Sequence, residues 1–411
     1  MNIKALKNEI DRKHFIQGVA ATSLGVSANL DNKLEAASSN GRKKILRIFL
    51  TGGLSHLDSF DPKPESPQVM GDTKVIRSNT GEQVSEFFPK MAKMMDKFSL
   101  IRSMYSPDAA HERAHYLMET SYTQLGTIKH PNLGAWMQKM HGQMNENLPP
   151  SVGISNNFGG GYLGTTYDQF FVSRPENALN GLVMDDPRSK KNARLLKLMA
   201  DVRRDFHKNN QFTEIEDYRK YYNESMGFMH SKDLEAFDIS KEDKQTLAKY
   251  NKSPNGSKFL LARRLLEANV QYVSISIGGW DDHKELWGNE KFPLRAKNFD
   301  DAFSTFLADF YERGLDKDTV ISINTEFGRT PNITAESGRG HYNKAFWGIL
   351  AGANIKGGTV YGKTSAEGSK PIENPVAVMD FNATLANLAG INLEKEIYSP
   401  TNRPFPVARG G

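Results

Sequence analysis

The chain has 411 residues, with 53 Lys+Arg against 48 Asp+Glu, 10 His and no cysteine. The missing thiols exclude a disulfide framework, Cys-ligated zinc or iron–sulfur centres and a thiol nucleophile. A formal charge of +5 spread over this length, without a long run of like charges, argues against a nucleic-acid binder, and 38% apolar residues suffice for a substantial core.

The first predicted element is a leader over residues 1–38. Arg12-Lys13, then Phe15-Ile16 and the small, weakly apolar run 17–26, resemble a twin-arginine export signal, with Lys13 where a second arginine is usual. That run is too short to span a bilayer, so no transmembrane segment is expected. The protein is expected to be periplasmic or otherwise exported, or cytoplasmic if the variant leader does not function. The rest of the chain, 39–411, reads as strands alternating with helices. Strands are expected at 45–50, 99–104, 270–277, 319–324 and 346–351, and helices at 88–98, 111–125, 131–144, 294–313 and 379–389. A Gly- and aromatic-rich loop is expected over 156–185, and a charged helical insertion near 188–250. The G-x-G-x-x-G at 159–164 precedes no helix and reads as part of that loop. This alternation predicts an α/β fold, a doubly wound, mainly parallel sheet with helices on both faces.

In such folds functional side chains gather beyond the carboxyl ends of the strands. Four polar clusters fall there: Gly52 to Pro64, with His56 and Asp58; Gly278 to His283, with Asp281; Thr325 to Pro331, with Glu326 and Arg329; and Gly338 to Asn343, with His341. Carboxylate oxygens and imidazole nitrogens suit a divalent cation, zinc or manganese first, and glycines let backbone approach closely.

The segments GGLSHLDSFDPKP (52–64), HPNLG (130–134), GGWDDH (278–283), EFGRTP (326–331) and GRGHYN (338–343) together resemble an uncharacterised exported bacterial family, domain of unknown function 1501, within the alkaline phosphatase and sulfatase-like superfamily. The resemblance implies an alkaline phosphatase-like fold and metal-dependent hydrolysis of phosphate or sulfate esters. It implies Asp281 and His283 as a first ligand pair, His341 as the distant ligand and Glu326 as a second-metal ligand. Three departures stand out: Phe327 where the superfamily has a histidine, Thr51-Gly52-Gly53 where it has an aspartate, and Gly340 where the family often has one. His56 and Asp58 are substitute ligands, and one ion or none is the expectation.

Formylglycine chemistry is excluded, because no cysteine exists and the nearest serine match, Ser173-Arg174-Pro175-Glu176-Asn177, ends in Asn. Ser106, in Ser-Pro-Asp, is either a nucleophile or a helix-start cap. Arg329, if exposed, can hold an anionic oxygen. His111-Glu112-Arg113-Ala114-His115 fits H-E-x-x-H, the zinc-peptidase pattern; within the family resemblance His111 and His115 stand instead at the edge of the active site. The reading is an exported metal-dependent hydrolase whose partner is a sulfated or phosphorylated small molecule or glycan. Its rivals are a non-catalytic envelope or polysaccharide-associated protein of the same fold, and a zinc peptidase.

Overall fold

A computed structural model describes residues 42–179 and 231–411; the leader at 1–38 and residues 188–230 of the expected insertion lie outside the described residues. The central strand β1 (Lys44–Leu50) is buried along its whole length. Its side chains alternate between two cores, Leu46, Ile48 and Leu50 into one and Ile45 and Phe49 into the other, as a strand covered on both faces requires.

Beside three small two-stranded sheets among the described residues, the further strands are β2 (Phe98–Tyr105), β3 (Ser151–Ile154), β4 (Phe170–Val172), β5 (Tyr272–Ile277), β6 (Thr319–Asn324), the hairpin β7 (Gly328–Ile333) and β8 (Arg339–Tyr342), β9 (Phe346–Gly352), β10 (Val360–Tyr361) and β11 (Val376–Ala377). The main sheet runs β10-β2-β9-β6-β1-β5-β3-β4, with β11 beside β2. β1 is parallel to β5 and β6, and β5 to β3. β9 alone reverses, antiparallel to both β2 and β6. The sheet is therefore mainly parallel, as expected.

Helices α1 (His111–Thr120), α2 (Leu133–His141) and α5 (Val378–Leu388) cover one face, while α3 (Gly256–Glu267) and α4 (Phe292–Glu312) cover the other. In α4 the buried Phe299, Phe303, Phe306 and Phe310 follow helical spacing. The short helices of 232–250 bring Leu234, Phe237 and Tyr250 into the α3 core.

Two expectations are corrected. The helix expected over 88–98 is a short helix, Pro89–Ala92, and a 3-10 turn, Met95–Lys97, because Phe98 is already extended as the first residue of β2. Asp300 of α4 accepts from the Lys90 and Met91 amides at 2.9 and 2.7 Å and holds the start of that short helix. The segment 156–185 also contains β4. Residues 328–342 form a hairpin, and this hairpin turns the chain so that β9 enters from the edge where β6 ends.

Candidate metal centre

The carboxyl ends of β1, β5 and β6 meet at that edge, as does the start of the reversed β9. Beyond β5, Trp280 is buried against Phe292 and Phe299 and donates its indole N–H to Ile277 O at 3.0 Å. With Trp280 turned into the core, Asp281 turns out to the edge, its side chain 46% exposed. Gly52 (φ +120°) permits this approach, since a Cβ there would lie 2.7 Å from the Asp281 amide nitrogen.

Helix α1 descends from the edge along β1. Glu119 reaches the fully buried Arg47 at 3.4 Å, and His115 packs against Phe49 in a tilted arrangement with ring centroids 4.3 Å apart. These contacts place His111, in the first turn, at the sheet edge. The hairpin supplies His341 and Arg329, which pair in register across β7 and β8. Gly338 is required at its turn, because a Cβ would lie 2.0 Å from the His283 carbonyl oxygen.

Three imidazoles converge on one oxygen. Asp281 Oδ1 lies 3.3 Å from His111 Nε2, 2.9 Å from His283 Nε2 and 3.3 Å from His341 Nε2. The Nε2 atoms of His283 and His341 are 2.9 Å apart. Ligand atoms of His111, Asp281 and His341 all lie within 4.8 Å of one another. The far nitrogens of two rings are held: His111 Nδ1 is 2.7 Å from Glu326 Oε1, and His341 Nδ1 is 3.0 Å from Ala109 O. Hydrogen-bonding Nδ1 to an acceptor leaves the Nε2 lone pair for a cation, the usual device around metal-ligating histidines. His111 Nε2 is buried and has no hydrogen-bond partner. The donor set of imidazole nitrogens with a carboxylate oxygen fits zinc or a similar divalent ion.

The charges agree with this arrangement. Partial burial opposes the charge of Asp281, but the Arg329 hydrogen bond and charge outweigh it and hold the carboxyl at about 2. Burial likewise opposes ionisation of Glu326, yet the bond from His111 and those from backbone amides keep its pKa below the ordinary carboxylate value. The same Glu326 bond raises the pKa of His111, whereas burial and then Arg329 lower that of His341.

The remaining residues singled out from the sequence take other places. Glu326 is fully buried, accepts from the Gly52 amide at 2.8 Å and from Thr325 Oγ1 at 3.0 Å, and buttresses His111 rather than facing the Asp281 oxygen. Asp58 is closed off against Arg339 through Nε at 2.7 Å and Nη2 at 3.2 Å. His56, fully buried, sits 2.8 Å from Gly368 O. Neither Asp58 nor His56 contacts the imidazole cluster in these bonds. Ser106 Oγ accepts from the Asp108 amide at 3.3 Å in a local turn, while the N-cap of α1 is Ala110, without a side-chain cap bond. Arg329 is buried instead of exposed, so it bonds protein rather than a solvent-borne anion. Phe327 forms a floor, its ring centroid 4.8 Å from those of both His111 and His341. The two imidazoles of H-E-x-x-H serve different partners: His111 faces Asp281 and Glu326, His115 faces Phe49 and Glu119, and Glu112 is exposed. The sequence pattern flagged His111 for its spacing to His115. Its actual partners, Asp281 and Glu326, are far away in the chain.

Residues 42–411 match the family described as "Protein of unknown function (DUF1501)". The chain belongs to this family. No curated protein matches it. It is similar to a protein of the alkaline phosphatase superfamily from Vibrio parahaemolyticus, with 13% identity, a TM-score of 0.40, and 93% of this chain and 75% of that one covered. It is also similar to the zinc complex of the C-terminal periplasmic domain of EcEptC from Escherichia coli, with 9% identity, a TM-score of 0.39, and 90% and 87% covered. A third is the PsFucS1 sulfatase from Pseudoalteromonas sp., with 11% identity, a TM-score of 0.35, and 87% and 70% covered.

Proposed function

We propose that the protein is an exported, metal-dependent hydrolase of phosphate or sulfate esters, acting on a small molecule or a glycan. The observation that carries the metal centre is the convergence of three imidazole Nε2 atoms on Asp281 Oδ1, two of those rings being held at Nδ1 and one Nε2 being orphaned. His111, Asp281 and His341 would hold the ion, with His283 beside them. When bound, such an ion supplies Lewis-acid polarisation of an ester oxygen and neutralises developing negative charge. Glu326 keeps a proton on His111 Nδ1, and the Ala109 carbonyl keeps one on His341 Nδ1. The Phe327 ring keeps water from beneath both. The ester class is supported by the sequence motifs shared with the superfamily. Export is supported by the leader-like residues 12–26 and agrees with the described residues, none of whose helices is long and apolar enough to cross a membrane.

The test is an assay of the Zn²⁺- or Mn²⁺-loaded protein on chromogenic phosphate monoesters, phosphate diesters and sulfate esters. Hydrolysis abolished by chelation, and lowered about 100-fold or more by Asp281→Asn, supports the reading. A protein that binds the ion but cleaves none of these esters would contradict it in favour of a binding role.

A further inference from the structure

Arg329 has no exposed surface, yet it lies directly beside the imidazole cluster. Its guanidinium donates to the carbonyls of Gly53 at 2.7 Å, Arg339 at 3.1 Å and Trp280 at 3.4 Å, and by closer contacts to the Gly52 carbonyl and Asp281 Oδ1. Four carbonyls and one carboxylate oxygen make an oxygen-rich cage, drawn from the ends of β1 and β5 and from β8, with His283 Nε2 also 3.4 Å from the guanidinium. Such a cage is the donor set that hard cations take. A guanidinium in it cannot lose its charge, and its planar fork satisfies several acceptors at once. Asp281 Oδ1 is shared: the atom that caps the cage is the one the three imidazoles approach.

We propose that Arg329 is a resident cation, which fills a cation position built into the sheet edge and restricts the neighbouring centre to one exchangeable metal ion. The inference rests on the metal reading above. It treats Arg329 as a positioning residue, since the guanidinium is sealed from solvent. Removing the side chain takes the guanidinium donors away from four carbonyls, and a cation from solvent can then enter.

The experiment is a calorimetric Mn²⁺ titration of the wild-type protein, Arg329→Lys and Arg329→Ala, with melting curves in millimolar guanidinium and, as an ionic-strength control, tetramethylammonium. The wild type and Arg329→Lys should each bind one Mn²⁺ per chain. Arg329→Ala should bind a second, and its lowered Tm should rise with guanidinium but not with tetramethylammonium. Two equivalents on the wild type would overturn the inference while leaving the metal reading intact. An Arg329→Ala protein that still takes one ion and ignores guanidinium would also overturn it. No ion on the wild type would sink the metal reading, and the inference with it. Should Arg329→Ala fail to fold, Arg329→Gln takes its place, and one ion with no response to guanidinium would overturn the inference in the same way.

Discussion

Asp58 and Asp281 lie beyond the ends of adjacent strands, and each is gripped by a buried arginine of the same hairpin, yet they differ in what is left over. Asp58 is fully buried and accepts from Ser55 and Thr73 at 2.5 Å each, from Arg339 twice, and from the Trp287 indole at 3.2 Å. Its acceptor capacity is used up by the protein. Asp281 is half exposed, and beside it stands the buried Nε2 of His111, which has no hydrogen-bond partner. A closed carboxylate is a fastening, and an open one surrounded by oriented imidazoles is a place for a ligand.

The largest expected effect comes from opening the closed centre. Arg339→Ala leaves Asp58 buried and unpaired, and urea titration should show a loss of about 3–5 kcal/mol. Metal affinity of the molecules that remain folded should barely change. If Arg339→Ala instead costs little stability and abolishes metal binding, the contrast between the two carboxylates fails.

Acid probes the same closed region. Burial lowers His56, in the Asp58 loop, to about 4 from an ordinary 6.5. The folded state therefore refuses a proton that the unfolded chain accepts. The stability this represents is intact above pH 6.5 and is lost as pH falls toward 4. Between pH 7 and 5 the loss from this one group is about 2 kcal/mol. Urea titrations at the two pH values should show that component in the wild type and not in His56→Gln.

A smaller effect is expected at the open centre. Glu326→Gln keeps an oxygen for His111 Nδ1 but removes the charge behind it, and Mn²⁺ or Zn²⁺ affinity should fall roughly 10- to 100-fold. His115→Ala, which changes the other imidazole of the H-E-x-x-H pattern, should leave that affinity within a few-fold. Equal losses from His111→Ala and His115→Ala would revive the peptidase arrangement.

How much of this was legible in the sequence depended on distance along the chain. β6 was readable to the residue because a run of β-branched and apolar positions ends abruptly at polar ones. Glycine-rich polar clusters next to strands marked the neighbourhoods of Asp281, His283 and His341, the family resemblance implied them as ligands, and the structure brings these three together. The pairing of Asp58 with Arg339 spans 281 positions and leaves no local trace, so Asp58 read as a spare ligand. The family resemblance implied Glu326 as a second-metal ligand; only its burial and its bond to His111 reveal that it stands behind that ring. The hairpin was hidden because Gly328-Arg329-Thr330-Pro331-Asn332-Ile333 has neither apolar alternation nor freedom from proline. Without the hairpin, the reversal of β9 could not be foreseen.

The most direct test of the metal centre is a calorimetric titration of metal-stripped protein with Zn²⁺, comparing the wild type with Asp281→Asn. The account predicts one ion per wild-type chain and a loss of at least about 100-fold in affinity for the folded variant. Wild-type protein that takes up no ion, or Asp281→Asn that binds as tightly as the wild type, would contradict it.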